Sequence, residues 1–232
     1  MPAPRCAAVV TAAGASTRMG GAAKKEFRRL DGVPVLALAI RPFLAGVAER
    51  VVVTLPAGRV AEASALLAPY LDVAALLLVE GGSTRQESVR RGLAALAADP
   101  PDIVLVHDGA RPWLSIGLAA RVAEAAARFG ACVPVVEVTE AVKEIGAEPG
   151  AGRDGGPLVL RHIPRRLLRF AQTPQGFSYL RILAAHERAR AEGLSFVDDA
   201  EVFDQFSGPV AWVTGDPANR KITFADDLEE AR

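Results

Sequence analysis

Short apolar runs alternate with helical patterns along the first 136 residues, and this alternation limits the fold more than any other feature of the sequence. Polar residues do not take every second position in the runs, which is typical of strands buried on both faces. Strands that alternate with helices predict an α/β fold in three layers, with a mostly parallel sheet between helices and right-handed crossovers. The predicted strands are residues 6–13, 50–54, 74–79, 103–106 and 131–136, and the predicted helices are residues 34–44, 60–67, 85–97 and 115–128.

Polar clusters follow three of the predicted strands, at residues 14–25, 81–88 and 107–111. In an open parallel sheet, ligands bind at the carboxyl ends of the strands. We therefore expect the three clusters to meet at one edge of the sheet and to form a binding site there.

The first predicted strand leads into a loop of small residues that carries Arg18 and, a few residues later, Lys25. Backbone N–H groups in such a loop can approach an anion closely, and the two side chains add positive charge. The loop lacks the Gly-Lys-Ser/Thr of a P-loop and the second glycine of a dinucleotide fingerprint, so its glycines alone do not separate a nucleotide site from a plain turn. The two cations favour a nucleoside triphosphate site, because buried charges are costly unless they are paired.

The overall charge is balanced, with 27 Lys and Arg against 27 Asp and Glu among 232 residues. This balance predicts no general attraction to nucleic acid or to an acidic membrane, so affinity for an anion must come from local clusters. No run approaches the roughly 20 apolar residues of a membrane span. Cys6 and Cys132 match no zinc spacing, and we expect both to be reduced core residues of a cytoplasmic protein.

The alternation ends beyond residue 136, where two short extended stretches, residues 141–145 and 158–162, flank a segment rich in glycine and proline. The pattern predicts a protruding β-hairpin, here called the arm, at about residues 139–165. From these residues alone, a surface hairpin without a function stays open. An arginine cluster at 161–169 has no aromatic interleaving beyond Phe170, so RNA binding is not predicted.

The C-terminal third of the sequence predicts further elements of the same domain. A turn is expected at residues 172–176, a helix at 179–192 with His186 on its surface, and a short helix from Asp198 and Asp199. A last strand at 210–214 and a charged helix from 225 complete the chain. Because no linker is long enough to separate a second domain, residues 1–232 are predicted to form one domain.

Several motifs occur in an order that is typical of one enzyme family. Residues 12–20 read Ala-Ala-Gly-x-Ser-x-Arg-Met-Gly, and with Lys-Glu-Phe at 25–27 they resemble the signature of sugar- and polyol-phosphate nucleotidyltransferases. Within that group, the chain resembles the 2-C-methyl-D-erythritol 4-phosphate cytidylyltransferases over nearly its full length. This resemblance implies a Rossmann-like α/β fold of the nucleotidyltransferase type. The further matching segments are residues 30–36, 81–89, 106–112, 172–177, 198–200 and 219–223.

The resemblance implies that the phosphate of methylerythritol phosphate attacks the α-phosphorus of CTP, which gives a CDP-alcohol and pyrophosphate. No side chain needs to act as a base, since the nucleophile is already an anion, and Mg²⁺ with positioned cations would stabilise the transition state. By the same resemblance, Arg18 and Lys25 hold the CTP phosphates. The loop that cradles these phosphates comprises Ala12, Ala13, Gly14, Ala15 and Ser16.

The nucleoside and the metal are assigned by resemblance to two other segments. Gly82, Ser83 and Ser88 match the positions that read cytosine and ribose. Asp108 and Gly109 match positions near the metal and the acceptor, and Asp108 is a candidate Mg²⁺ ligand because Mg²⁺ usually takes one or two carboxylates with phosphates and water. From the residues alone, an aspartate that merely forms a turn before Gly109 stays open.

Acceptor binding is expected from Arg111, Arg165, Thr173 and Lys221, of which Arg165 and Lys221 are counted with Arg18 and Lys25 as catalytic. An arginine fork suits a phosphate monoester, and a lysine adds a point charge. The family supplies its counterpart of Arg165 from the arm of a neighbouring subunit, which implies a homodimer with shared sites.

Two departures from the family pattern concern the acceptor, since Ala141 and Val197 stand where the family commonly has threonine. Both threonines can hydrogen-bond the acceptor, so a cytidylyltransferase for ribitol phosphate or molybdopterin stays open, as does a non-catalytic nucleotide-binding protein. The segments at 107–112 and 173–175 argue against molybdopterin, and the intact basic residues argue against a protein without activity.

Overall fold

The computed structural model describes residues 4–14, 24–146, 158–224 and 226–228, and it has the predicted α/β architecture. The strands are β1 (Cys6–Thr11), β2 (Arg29–Leu30), β3 (Val33–Pro34), β4 (Arg50–Leu55), β5 (Leu76–Glu80), β6 (Ile103–Asp108), β7 (Ala131–Glu137), β8 (Val142–Ile145), β9 (Val159–Ile163), β10 (Arg169–Ala171), β11 (Gln175–Ser178) and β12 (Ala211–Thr214). The helices are α1 (Val35–Pro42), α2 (Val60–Leu67), α3 (Arg85–Ala94), α4 (Ile116–Phe129), α5 (Tyr179–Ala191) and α6 (Asp199–Ser207).

The main sheet is mostly parallel, with β10 and β11 as the exceptions. Its order is β10, β7, β11, β6, β1, β4 and β5, with β12 paired to β7. The neighbours of β1 and β4 run parallel to them, and β12 runs parallel to β7. Strand β11 runs antiparallel to both β6 and β7, and β10 lies antiparallel along β7.

The turn that the sequence predicts at 172–176 is wrong in its second half, because Gln175 and Gly176 belong to β11. The glycine serves packing rather than chain reversal. A Cβ atom at Gly176 would lie 2.9 Å from the Cβ atom of Ala126 and 3.0 Å from Cγ1 of Val122, both on α4. Glycine therefore lets α4 lie directly on the sheet at this point.

Strand β1 is buried on both faces, as its unbroken apolar run predicts. Ala8 and Val10 face one core cluster, which contains side chains of α1, α2 and α4. Ala7 and Val9 face a second cluster, which contains side chains of α3, α5 and α6. The sheet thus lies between two helical layers, and the expected three-layer fold is confirmed.

Side-chain caps fix where three of the helices begin. The hydroxyl oxygen of Thr84 accepts a hydrogen bond from the backbone N–H of Glu87 at the start of α3, and Ser115 caps α4 in the same way. Asp198 accepts from the N–H of Glu201 at the start of α6. Each cap satisfies an N–H group that has no partner within its helix.

The predicted arm is present as a hairpin outside the main sheet. Strands β8 and β9 pair antiparallel with each other, and the hairpin is largely exposed. Its tip, at residues 147–157, lies outside the described residues. At the C-terminus, the described residues hold a short 3₁₀ helix, Asp226–Leu228, where a charged helix is predicted. No helix of the described part is long and apolar enough to cross a membrane.

Candidate active site

The three polar clusters meet at the carboxyl ends of the strands, as predicted. The backbone N–H of Gly109, after β6, donates to the carbonyl oxygen of Thr11 in β1 at 2.9 Å. The N–H of Gly81, after β5, donates to the carbonyl oxygen of Leu55 in β4 at 2.7 Å. A Cβ atom at Gly81 would lie 2.4 Å from that of Ala13, so only glycine allows the two loops to approach this closely.

The first of these loops is described up to Gly14 and again from Lys24. The predicted site residues Ala15, Ser16 and Arg18 lie outside the described residues. The ammonium group of Lys25 donates to the carbonyl oxygen of Ile222 at 2.8 Å, so Lys25 reaches the segment that contains Lys221.

Lys24 is a third cation at this loop, beside Arg18 and Lys25, and it was not predicted from the sequence. Its ammonium group donates to the carbonyl oxygen of Ala12 at 2.9 Å and also to that of Gly14. The side chain is buried, and this burial lowers the pKa of Lys24. The only signal in the sequence is the Lys24-Lys25 pair, which does not say which lysine turns inward.

Asp108, at the end of β6, is a buried carboxylate among three cations. Its Oδ2 atom accepts from the ammonium group of Lys221 at 2.7 Å, and its Oδ1 atom accepts from Nε of Arg85 at 3.3 Å. Nε of Arg111 lies 3.8 Å from Oδ2. Burial alone would raise the pKa of Asp108, but the three cations outweigh it and hold that pKa well below its ordinary value. The carboxylate is therefore ionised.

Arg111 keeps one donor without a hydrogen-bond partner among the described residues. Its Nη1 atom donates to the carbonyl oxygen of Asn219 at 2.7 Å, which ties β6 to the segment before Lys221. Its buried Nε atom makes no hydrogen bond within the described residues. A buried N–H group without a partner is costly, and an anionic ligand next to it would remove that cost.

The charged cluster continues behind Asp108 into the core. Nη1 of Arg85 lies 2.8 Å from Oδ2 of Asp199, the first residue of α6, and Nε2 of His186 lies 3.2 Å from Oδ1 of the same carboxylate. Asp199 and His186 are both fully buried. The sequence reasoning assigned no role to Arg85 or Asp199, although both lie within segments that carry the family resemblance.

The predicted surface position of His186 is wrong. Ile182, Ala185, His186 and Ala189 are all buried on one face of α5. Their spacing of three and four residues marks that face in the sequence, and His186 belongs to it because a residue four positions after Ile182 lies on the same side of a helix.

Two buried side chains, Thr173 and His107, fix the backbone of Asp108 through hydrogen bonds. The hydroxyl oxygen of Thr173 accepts the N–H of Asp108 at 3.1 Å and lies 2.9 Å from Nδ1 of His107. Burial lowers the pKa of His107 to about 4, so the ring is neutral and Nδ1 can accept the hydroxyl proton. Nε2 then carries the proton that faces the carbonyl oxygen of Arg111 at 3.3 Å. Thr173 thereby positions Asp108, and its contact with an acceptor stays a prediction.

The segment assigned to the nucleoside is held in shape by the side chain of Ser88. The buried hydroxyl of Ser88 donates to the carbonyl oxygen of Thr84 at 2.7 Å and accepts the N–H of Gly82 at 3.1 Å. This pair of bonds fixes the chain at Gly82, next to the exposed Ser83. Contact of these residues with cytosine or ribose stays a prediction.

Arg165 stands apart from the other predicted site residues of the same chain. It is exposed at the base of the arm, where its Nη1 atom donates to the carbonyl oxygen of Thr139 at 2.6 Å. Within the described residues, no hydrogen bond or ion pair joins Arg165 to Asp108, Arg111 or Lys221.

The family resemblance leads us to expect a magnesium ion near Asp108. The described residues contain no group of three or more His, Cys, Asp or Glu side chains that could hold a metal ion. Both oxygen atoms of Asp108 already contact cations, Arg85 and Lys221, which would repel a divalent ion. The described side chains therefore do not fit a magnesium ion held by the protein, and these contacts weigh against the prediction that Asp108 is its ligand.

The fold and the edge of the sheet where the three loops meet define the class, an α/β protein of the nucleotidyltransferase type. A sequence model of the IspD family, 2-C-methyl-D-erythritol 4-phosphate cytidylyltransferase, matches residues 6–232. The chain belongs to this family.

Individual relatives agree with this assignment. The bifunctional enzyme IspD/IspF of Rhodopseudomonas palustris (strain BisB18) is 40% identical over 231 residues, which cover 98% of this chain and 56% of the relative. The chain thus spans about half the length of the curated relatives it matches. The crystal structure of 2-C-methyl-D-erythritol 4-phosphate cytidylyltransferase from Thermus thermophilus is similar with a TM-score of 0.75 and 36% identity, covering 98% of this chain and 97% of that one. The 4-diphosphocytidyl-2C-methyl-D-erythritol synthase structure from Anaerococcus prevotii has a TM-score of 0.80 and 26% identity, with 98% and 94% covered.

Proposed function

We propose that this chain transfers the cytidylyl group of CTP to 2-C-methyl-D-erythritol 4-phosphate. The products are 4-diphosphocytidyl-2-C-methyl-D-erythritol and pyrophosphate, in the non-mevalonate route to isoprenoid precursors. The observation that carries the proposal is the ionised Asp108 between Lys221 and Arg111 at the sheet edge, in a chain of the IspD family. Arg85, Arg111 and Lys221 against Asp108 and Asp199 leave a surplus of one positive charge, 3 − 2 = +1, which suits a phosphate.

In the proposed reaction, an oxygen of the acceptor phosphate attacks the α-phosphorus of CTP. The bond between the α-phosphorus and the oxygen that bridges to the β-phosphorus breaks, and pyrophosphate leaves with that oxygen. Arg18 and Lys25 would balance the charge on the α-phosphate oxygens, each contributing about 2–4 kcal/mol, as one preorganised donor does. The surrounding loop, from Ala12 to Ser16, would bind the triphosphate by donating hydrogen bonds from its backbone N–H groups.

The nucleoside would be recognised by the backbone near Gly82 and Ser83, which Ser88 holds in place. Mg²⁺ is proposed to arrive with CTP, held by phosphate oxygens and water rather than by protein carboxylates. The compartment is proposed to be the cytoplasm, where the free, buried Cys6 and Cys132 would stay reduced.

The acceptor phosphate would contact Lys221 and Nε of Arg111, which makes no hydrogen bond within the described residues. The exposed Arg165 is proposed to serve the site of a second copy of the chain, because its own chain shows no contact between it and Asp108 among the described residues. This requires a homodimer in which residues 1–232 form one catalytic domain and the arm, at about 139–165, reaches across.

A cytidylyltransferase for another polyol phosphate is the second candidate. Ala141 and Val197 are both exposed, Val197 at 89%, and neither offers the hydroxyl that could bind the acceptor. The chain would therefore bind its acceptor with lower selectivity, and ribitol phosphate is the nearest alternative acceptor.

The test is pyrophosphate release from CTP with a panel of acceptors, with Mg²⁺ and with a chelator. We expect turnover with 2-C-methyl-D-erythritol 4-phosphate at a kcat/KM well above that for ribitol phosphate, and loss of turnover with the chelator. Turnover with ribitol phosphate alone would replace the first proposal by the second. No turnover with any acceptor would favour a protein that binds nucleotide without activity.

A further inference from the structure

Behind Asp108, ionic contacts continue through the partly exposed Arg85 to the buried Asp199, and the proposed reaction assigns neither of these two side chains a contact with a substrate. We infer that Arg85 and Asp199 are positioning residues for the acceptor site, acting through Asp108 on Lys221. The inference rests on the proposed function, because its effect is measured on the acceptor. It adds two residues, the partly exposed Arg85 and the buried Asp199, that would affect the acceptor through Asp108 rather than by touching the acceptor phosphate.

Arg85 bridges two carboxylates that belong to different layers of the fold. Its Nε atom lies 3.3 Å from Oδ1 of Asp108 in the sheet, and its Nη1 atom lies 2.8 Å from Oδ2 of Asp199 in α6. A guanidinium group is planar and rigid, so it fixes the two carboxylates relative to each other. A lysine side chain has a single point charge and cannot hold both in this way.

Asp199 is itself held in place through the sheet. Gln175, in β11, donates from Nε2 to Oδ2 of Asp198 at 2.8 Å and accepts from the N–H of Ala200 at 3.0 Å. These bonds fix the first turn of α6 against β11, and β11 is the neighbour of β6, which carries Asp108. The first turn of α6, which contains Asp199, is thereby tied to β11, and Asp108 lies at the end of the adjacent strand β6.

Each oxygen atom of Asp108 contacts a different cation, so the position of the Lys221 ammonium group depends on the position of Arg85. Oδ1 faces Arg85 and Oδ2 faces Lys221. Without the charge of Asp199, Arg85 would be free to turn Nη1 as well as Nε toward Asp108. It would then draw that carboxylate away from Lys221. The ammonium group of Lys221 would then lose the contact that orients it, while the loop near Gly14 would not be affected.

The experiment compares Asp199→Asn and Arg85→Lys with the control Arg90→Lys. Arg90 lies on the same helix, α3, and its guanidinium group also bridges two carboxylates, those of Glu87 at 2.7 Å and Glu187 at 2.8 Å. For the two test variants we expect KM for the acceptor to rise on the order of tenfold, the range of couplings between contacting residues, while KM for CTP changes less than about twofold. The control should change neither KM. A melting temperature for each protein identifies variants that fail to fold, and either test variant alone suffices.

A purely structural role is separated from positioning by a double-mutant cycle. If Asp199 acts through Lys221, then Asp199→Asn should raise the acceptor KM in the wild type but not further in a Lys221→Met background. Equal increases in both backgrounds, an unchanged acceptor KM in a folded variant, or equal increases for both substrates would each overturn the inference. The wild-type protein is measured first, and its failure to turn over any acceptor would overturn the proposed function and the inference together.

Discussion

At the scale of single residues, Lys221 has the most direct proposed contact with the acceptor. Its ammonium group is held at 2.7 Å from Asp108 and is still partly exposed. Replacing it by methionine keeps the aliphatic stem and removes the charge. Because a hydrogen bond to a charged group contributes about 1.5–3 kcal/mol, Lys221→Met should raise KM for the acceptor roughly ten- to hundredfold in steady-state kinetics.

The neighbouring Arg220 provides the matched control for this change. Its guanidinium group is exposed and lies over the ring of Trp113, at 5.4 Å from the ring centroid. Arg220→Met removes the same charge from the same segment, so it should leave the acceptor KM nearly unchanged. Similar increases in both variants would mean that overall charge, rather than the position of Lys221, governs binding.

Because His107 is buried in its neutral form, we expect the folded protein to lose stability in weak acid. Burial lowers its pKa from 6.5 to about 4, so as pH falls the unfolded chain takes up the proton before the folded one does. The stabilising contribution of neutral His107 is complete above pH 6.5 and is lost as pH falls toward 4. Between pH 7 and pH 4.5, the wild type should lose about 2–3 kcal/mol more unfolding free energy than His107→Asn in urea titrations. Parallel losses in the two proteins would contradict this assignment.

The residues of the site were predictable from the sequence only in part. The segments that contain Asp108, Arg111 and Lys221 could be identified from motifs, and the structure brings these three together. The Arg85 bridge depends on contacts with Asp108 and Asp199, which lie in other segments, and the inward turn of Lys24 depends on how its loop folds back onto Ala12 and Gly14. Spacing within one segment carries no information about such contacts.

At the scale of elements, β10 and β11 are the strands of the main sheet that were not predicted from the sequence, and β11 is the more central of the two. It lies between β6 and β7, and Gly176 packs against α4 without room for a side chain. Gly176→Ala would place a methyl group 2.9 Å from Ala126, so we expect a loss of about 1–3 kcal/mol in unfolding free energy, as for overpacked cores.

Gly117 supplies the control within α4 itself. A Cβ atom there would meet nothing closer than 3.8 Å, so Gly117→Ala should stabilise the helix by roughly 0.5–1 kcal/mol. The two alanine variants should therefore shift the melting temperature in opposite directions. A stable Gly176→Ala protein would mean that β11 does not pack as described.

The elements of the first half were predictable because each depends on local patterns. Strand β1 follows from its unbroken apolar run, and helix α2 follows from a helical pattern within its own residues. The strands β10 and β11 could not be identified from local patterns, because the proline and glycine around residue 174 are typical of a turn. Their place in the sheet depends on pairing with residues that lie 32–36 positions earlier for β10 and 44–75 positions earlier for β11.

At the scale of the whole molecule, the proposed dimer predicts complementation between inactive variants. If Arg165 serves the neighbouring site and Lys221 serves its own, a mixed dimer of Arg165→Ala and Lys221→Met contains one intact site and one doubly altered site. Half of randomly paired subunits form mixed dimers, so coexpression should restore about a quarter of wild-type activity at acceptor concentrations where each variant alone is inactive.

Sites formed within single chains would give no such recovery, and a monomer in sedimentation at working concentration would contradict the dimer directly. The double variant Arg165→Ala with Lys221→Met, coexpressed with wild type, controls for expression because every mixed dimer then has two singly altered sites.

The central claim is that this chain moves the cytidylyl group of CTP, and the fate of the α-phosphorus tests it most directly. The protein is incubated with CTP labelled at the α-phosphorus, Mg²⁺ and 2-C-methyl-D-erythritol 4-phosphate, and the products are separated. The account predicts that the label appears in the CDP-alcohol, in equal amount to unlabelled pyrophosphate. Label that stays in CTP or CMP, or transfer of the γ-phosphate to the acceptor, would contradict it.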